Sequence, residues 1–322
     1  MTLAEYCGRW LAVRTGRLAP NSIRAYASAL RHHVLPALGA LELEEITQPV
    51  VRGWIADQLL RQRPVNSIKS AIGTLSTILT DALIDGLVLH NAAHGAARRL
   101  LADNRIQTPK AMTPHELDAF LLAARTLGSH WASDAFYVYS RTGLRLGELL
   151  ALQKRSILAN EEALRVDQQY HGGKFGFGPP KGGKARLVEV PRKCLAVLLG
   201  RAAQLETAGT FLFPGATLHL PIHPGTVEWA FDQAAGIAQL PEHFTVHSLR
   251  HTYASILIAS GAPPAWVQQQ LGHANYQITV DLYGSWLRQR RPDLLAVLDQ
   301  EPARHGIARV ERAKVIPLRQ RR

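Results

Sequence analysis

The stretch Phe244-Thr245-Val246-His247-Ser248-Leu249-Arg250-His251-Thr252-Tyr253 leads into an apolar run at helical spacing. It is followed by Leu271-Gly272-His273-Ala274-Asn275-Tyr276 and, further on, Asp281-Leu282-Tyr283-Gly284. Thr245 reads as a helix start, Pro263-Pro264 as a second start and Gly272 as its end. Asn275 caps a third helix carrying Ile278, Leu282 and Tyr283. His247, Arg250, His273 and Tyr283 therefore fall at successive element ends, which is how short helices assemble a site rather than fill a core. His247 and Arg250 lie in a first helical turn, where the N–H groups and the dipole favour an anion. His251 is expected to point elsewhere, as a buried, hydrogen-bonded histidine. Tyr276 reads as core, whereas Tyr283 closes its helix at Gly284. Arginine, histidine and a phenol together suit a phosphodiester: cations hold the anionic oxygens and the phenol can attack phosphorus.

Working outward, Thr113-Pro114-His115-Glu116 supplies an N-cap, a proline at N1 and a glutamate at N3. A domain is expected to begin there, with Leu117, Phe120, Leu121 and Ala124 on its buried face. An apolar helix over 131–140 runs into Thr142-Gly143-Leu144-Arg145-Leu146-Gly147-Glu148. Arg145 and Glu148 share a helix face, so the spacing predicts a partly buried arginine held by a carboxylate and free to fork onto phosphate oxygens. Alternation of apolar and polar residues predicts a small antiparallel sheet within 160–191, interrupted by a long glycine-rich hairpin. Helical spacing returns at 193–205 and 227–238.

Within that hairpin, Gly178-Pro179-Pro180-Lys181-Gly182-Gly183-Lys184-Ala185 imitates a nucleotide-binding P-loop. Ala185 stands where a magnesium-binding hydroxyl is needed, two prolines remove N–H donors, and a strand follows instead of a helix. Lys181 reads better as a mobile ammonium at a hairpin tip, able to reach into DNA and protonate a leaving oxygen. Lys184 is the competing choice and Lys174 the third. His243, His247 and His251 are four apart and imitate a helical metal site. Pro241, Thr245 and Val246 argue against one helix spanning all three, and no acidic ligand is near, so no metal is expected.

Residues 1–100 read as a helical module. Thr2 and Glu5 form a capping box for a first helix, and a second follows Pro20 and is closed by Pro36 and Gly39. A third opens at Thr47 and Pro49, and a fourth carries Ile68, Ile72, Leu75 and Leu79. Arg24, Arg31, Arg52 and Lys69 lie on its outer faces as candidate DNA contacts, with Lys184 and Arg186 from the hairpin region. Residues 101–112 mix charge with turn formers and read as a linker, leaving 113–300 as the second domain. The tail, 301–322, holds seven Arg or Lys against two Glu.

Lys plus Arg number 37 against 25 Asp plus Glu, a net charge of +12, which points to a polyanionic partner such as nucleic acid. Cys7 and Cys194 are the only cysteines and have no paired spacing, which fits a reducing compartment. No run is apolar enough to span a membrane, and charges occupy the N-terminus where a signal peptide needs apolar residues. A cytoplasmic, nucleoid-associated protein is expected.

Taken in order, Thr142-Gly-Leu-Arg145-Leu-Gly-Glu148-Leu, Lys181-Gly-Gly-Lys-Ala-Arg186-Leu-Val, His247-Ser-Leu-Arg250-His251-Thr and Leu271-Gly-His273 with Tyr283 resemble the tyrosine recombinase (phage integrase) family. The resemblance implies a mainly α fold with a small antiparallel β-sheet: a helical core-binding, SAM-like domain followed by a mixed α/β catalytic domain. It implies that Arg145, Lys181, His247, Arg250 and His273 surround a scissile phosphate, with Glu148 behind them and Tyr283 as nucleophile. The product would be a 3′-phosphotyrosyl bond and a free 5′-hydroxyl, with His247 as candidate base and Lys181 as acid. No cofactor is implied. The implied partners are double-stranded DNA and three further copies in a DNA-assembled homotetramer, with accessory DNA-bending or directionality proteins in addition where a system uses them. The sequence leaves no room for the arm-binding domain of some phage integrases, so arm-site recognition is not expected. Competing readings are a type IB topoisomerase-like enzyme, a DNA-binding protein with a vestigial site, and a metal nuclease.

Overall fold

The computed structural model describes residues 1–98, 100–101, 111–205, 207, 209–217 and 219–272, apart from the Lys174 side chain. The first core is helical. Helix α1 (Leu3–Arg14) is capped as its sequence predicts, Thr2 Oγ1 accepting from Glu5 N–H at 3.3 Å and Glu5 Oε2 from Thr2 N–H at 2.9 Å. Helix α2 (Pro20–Ala29) continues through a π-turn (Leu30–Val34) into α3 (Leu35–Leu38). Pro36, expected to close this helix, is instead carried inside it. Proline has no N–H for the carbonyl one turn back, and the wider turn, with Leu35 N–H donating to Leu30 O, accommodates the gap. Gly39 then follows the last helical residue.

Helices α4 (Gln48–Leu60) and α5 (Val65–Ile84) complete the module. Leu3, Trp10, Val34, Ile55, Ile68 and Leu75 are buried together in one cluster that extends to Leu101. The carboxylate of Asp81 on α5 receives both Trp10 Nε1 and the Arg14 guanidinium, and Tyr6 donates to Asp85 at 2.7 Å, so α1 is tied along the end of α5.

A second cluster begins at Met112, whose N–H donates to Thr252 Oγ1 at 2.9 Å. Helix α6 (Pro114–Thr126) starts on the expected capping box, with Thr113 N–H donating to Glu116 Oε2 at 2.7 Å. Such a cap stabilises a helix start by about 1 kcal/mol. Helices α6, α7 (His130–Thr142) and α10 (Pro224–Ile237) meet through Phe120, Phe136 and Phe231, whose ring centroids lie 4.8–6.1 Å apart. Helix α8 (Leu146–Leu150) follows Gly143, and α9 (Arg192–Ala203), α11 (Val246–Ala259) and α12 (Pro264–Leu271) enclose the rest.

The expected single sheet is two small ones. β1 (Ile157–Leu158), β2 (Ala163–Val166) and β5 (Arg186–Glu189) form an antiparallel sheet in the order β1-β2-β5. β3 (Gln169–Tyr170) and β4 (Phe177–Gly178) make a separate hairpin whose tip is 171–176. Phe177 stacks on Phe211 with centroids 5.3 Å apart and anchors this hairpin to the body. The segment carrying Lys181 is therefore the connection from β4 to β5, not the hairpin tip.

Among the described residues no helix is long and apolar enough to cross a membrane.

Candidate active site

Helix α7 ends at Gly143, whose φ of +59° is left-handed and which a side chain could not occupy without meeting the Tyr253 ring and Leu271. That turn delivers Arg145 to the start of α8. Glu148, one turn into α8, reaches back so that its Oε2 accepts from Arg145 N–H at 2.9 Å while Oε1 accepts from Arg145 Nη1 at 2.8 Å. The predicted arginine–carboxylate pair is thus present, and Glu148 is completely buried.

A second arginine shares the same carboxylate. Arg186, the first residue of β5, donates Nη1 to Glu148 Oε1 at 3.0 Å and Nη2 to Oε2 at 2.7 Å. Arg186 was expected to face DNA; its guanidinium instead turns inward, with the side chain 13% exposed. The parity of the strand explains this. Val188 and Val190 are buried on the inner side, so Arg186 shares their face and Leu187 and Glu189 point out. Burial alone would push the Glu148 carboxyl up, but the hydrogen bonds and charge of Arg186, together with Arg145, hold it down to about 2.

The third arginine comes from the start of α11, where Thr245 N–H donates to Ser248 Oγ at 3.0 Å. Arg250 is 2% exposed and donates Nη1 to Gly143 O at 2.6 Å and Nη2 to Leu271 O at 2.8 Å. Its pKa is lowered to about 10 by burial and then by Arg145.

These guanidiniums converge on one end of α12. Arg186 Nε donates to Gln270 O at 3.1 Å, Arg250 to Leu271 O at 2.8 Å, and Arg145 Nη2 to Gly272 O at 2.7 Å. The last carbonyls of a helix lack partners within it and carry its negative dipole end, so a cluster of cations is the complementary cap. Gly272 is left-handed at φ +64°, and a Cβ there would come within 2.8 Å of the Arg186 guanidinium. Both requirements select glycine. Gln270, buried like Arg250, accepts from Glu189 N–H at 2.9 Å and fixes α12 against the β5 edge. Three guanidiniums against one carboxylate leave two net positive charges beside the residue that precedes His273.

His247 lies in the first turn of α11 and keeps contact with solvent. Desolvation, then His251, Arg250 and Arg145, lowers its pKa to about 4, so the ring is neutral at pH 7 and can accept a proton. His251 does not point elsewhere. Residues four apart lie on one helix face, and the two rings meet edge-to-face with centroids 4.8 Å apart. His243 lies before α11 and its ring packs on Phe244 at 4.3 Å.

Lys181 and Lys184 are exposed and line, with Arg186 and Gly272, a cleft of about 550 Å³ between the β4–β5 connection and α12. Arg31, Arg52 and Lys69 are exposed on the first module. Arg24, also exposed, bridges the two cores: its guanidinium sits 4.6 Å from the Phe175 ring centroid and donates to His171 O at 3.4 Å, with Asn21 Nδ2 3.5 Å from His171 Nδ1. His273 and Tyr283, like Asn275, Tyr276 and the tail, lie outside the described residues.

Residues 110–289 match the Phage integrase family. The chain belongs to that family. Residues 2–58 of this family member match the phage integrase N-terminal SAM-like domain. It is 24% identical to a tyrosine recombinase of Thermosipho africanus over 82% of this chain and 88% of the relative. The Tn1549 transposon integrase, solved with a circular intermediate DNA, shares the fold at a TM-score of 0.78 and 18% identity, over 93% of this chain and 99% of that one. A lambda integrase tetramer bound to a Holliday junction gives a TM-score of 0.67 and 20% identity, over 85% of this chain and 78% of that one. As a phage integrase family member the chain is a tyrosine-type site-specific DNA recombinase, mainly α with small antiparallel sheets.

Proposed function

We propose that the arginine cluster at the end of α12 is the phosphate-binding floor of a strand-exchange site, with Tyr283 as nucleophile. The supporting observation is the convergence of Arg145, Arg186 and Arg250 on three successive carbonyls directly before His273. Arg145, with its side chain 20% exposed, is the more accessible of the two arginines assigned to the phosphate. It forks onto the non-bridging oxygens while Arg250 supplies charge from beneath. Charge that spreads over those oxygens in the transition state then meets cations already fixed by their protein partners.

The phenol oxygen of Tyr283 attacks phosphorus in line and its proton passes to neutral His247. The bond from phosphorus to the 5′-oxygen breaks, and that oxygen takes a proton from Lys181, with Lys184 as the alternative donor. His273 donates a hydrogen bond to the phosphate. A 5′-hydroxyl of a second duplex reverses the attack and releases the tyrosine. One phosphoester replaces another at each step, so the sequence of bonds calls for neither ATP nor a metal.

On this reading residues 1–100 form a DNA-binding module, 101–112 a linker, 113–300 the catalytic domain and 301–322 a basic tail. The two domains grip one duplex of double-stranded DNA, with Arg31, Arg52, Lys69 and Lys184 toward the backbone. Four copies assemble on two duplexes in the cytoplasm, at the nucleoid, with accessory DNA-bending or directionality proteins where needed. The test uses duplexes selected from a randomised pool by affinity for this protein. Two such duplexes incubated together in EDTA are expected to yield recombinant strands. Relaxation of supercoils with no exchange would favour the topoisomerase-like alternative.

A further inference from the structure

The β4–β5 connection carries Lys181 and Lys184 on exposed residues, with Gly182 and Gly183 at φ +101° and +74° between them. One turn bond, Gly183 N–H donating to Pro180 O at 2.8 Å, shapes this segment, and Gln169 Nε2 holds its upstream end by donating to Pro179 O at 2.7 Å. Its downstream end is fixed by the pairing of β5 with β2, where Arg186 lies opposite Val166, and by the Arg186 side chain. That side chain is the floor of the cleft shared by the lysine segment and α12. It grips both oxygens of Glu148 on α8 and the Gln270 carbonyl on α12. The same carboxylate holds Arg145, and the neighbouring carbonyls hold Arg250 and Arg145.

We propose that Arg186 is a positioning residue for the lysine that protonates the leaving oxygen, acting by anchoring the β4–β5 connection to Glu148 and the end of α12. This rests on the recombinase reading above. Arg186 has no contact with DNA in this role; each of its three guanidinium nitrogens already donates to protein. A lysine in its place keeps the charge but offers one compact ammonium, which cannot fork onto a carboxylate and reach a carbonyl at once. The lysine segment then loses its anchor while the charge near the phosphate is kept.

The experiment compares wild type with Arg186→Lys and Arg186→Gln on a duplex selected by affinity for the protein, with the cleaved phosphate mapped from wild-type adducts. A second version of the duplex carries sulfur in place of the bridging 5′-oxygen at that phosphate. A thiolate leaves without taking a proton, so this substrate bypasses the acid. The variants are expected to form adduct at least tenfold more slowly on the oxygen duplex and within threefold of wild type on the sulfur duplex. Their dissociation constants should show the wild-type salt dependence.

Three results would overturn the proposal. One is a wild-type rate on the oxygen duplex, and another an equal defect on both duplexes. The third is a loss of about one unit in the slope of log K against log salt, which marks a phosphate contact. Should the single variants unfold at the assay temperature, both duplexes are assayed below the variants' unfolding midpoints and read by the same rescue. Wild-type protein that leaves both duplexes uncut overturns the recombinase reading itself, and this proposal with it.

Discussion

Arg186 and Glu148 lie 38 residues apart, on a strand and a helix, and meet through two parallel hydrogen bonds of 2.7 and 3.0 Å. Because the carboxylate also takes Arg145, one acidic side chain sets the position of two guanidiniums. Glu148→Gln should therefore unbalance the whole cluster. Breaking a buried ion pair by removing one partner costs about 3–5 kcal/mol. Urea unfolding at pH 7.5 should show a loss of that order, and a change under about 1 kcal/mol, the range of exposed pairs, would contradict the role given to Glu148.

Gly272→Ala places a methyl group in the Arg186 guanidinium and forces an L-residue to φ +64°. The left-handed backbone alone costs about 1–2 kcal/mol. Adduct formation should fall at least tenfold with DNA affinity little changed, since the substitution displaces the turn before His273. Measured cleavage equal to wild type would show that the turn tolerates a side chain.

His247 and His251 predict an acid-sensitive fold. Burial comes first for both, followed by His251 and Arg250 for His247 and by Arg250 for His251, and both fall from 6.5 to about 4. The unfolded chain then binds protons that the folded chain refuses. Stability is full above 6.5, declines as pH falls from 6.5 to about 4, and levels off below. Glu148, lowered from 4.5 to about 2, adds a further loss as pH drops through that lower window. Denaturation midpoints at pH 7.5, 5.5 and 4.5 check the first decline. The double variant H247Q/H251Q should flatten it, and an unchanged slope in that variant would assign the decline to other groups.

Arg24 was expected on DNA and is found against Phe175 and His171. A cation over an aromatic face at an exposed site contributes about 0.5–1 kcal/mol. Arg24→Ala should leave the unfolding midpoint almost unmoved but speed hydrogen exchange in 171–177. Unaltered exchange there would mean the contact does not hold the hairpin.

Much of this arrangement was legible in the residues. The capping boxes at Thr2 and Thr113, the helix starts at Thr245 and Pro264 and the Arg145–Glu148 pair are local, set by spacing of three or four residues. The position of Arg186 was also available: Val188 and Val190 reveal which strand face is inward, and parity places Arg186 with them. Its charge obscured that signal. His251 was misplaced although four-residue spacing puts it beside His247. The partners of Gly143, Gln270 and Gly272 are guanidiniums, a backbone N–H and packed side chains from distant elements, and no local pattern encodes them. The π-turn before Pro36 was likewise hidden, because a proline inside a helix and one at its end read alike.

The central claim concerns Tyr283. Wild-type protein incubated in EDTA with a nicked duplex selected by affinity should give a band retarded on denaturing gels, and mass spectrometry of the linked peptide should place the DNA on Tyr283. Tyr283→Phe should bind the same duplex and give no such band. A link at Tyr276, or an undiminished band from Tyr283→Phe, would contradict the account.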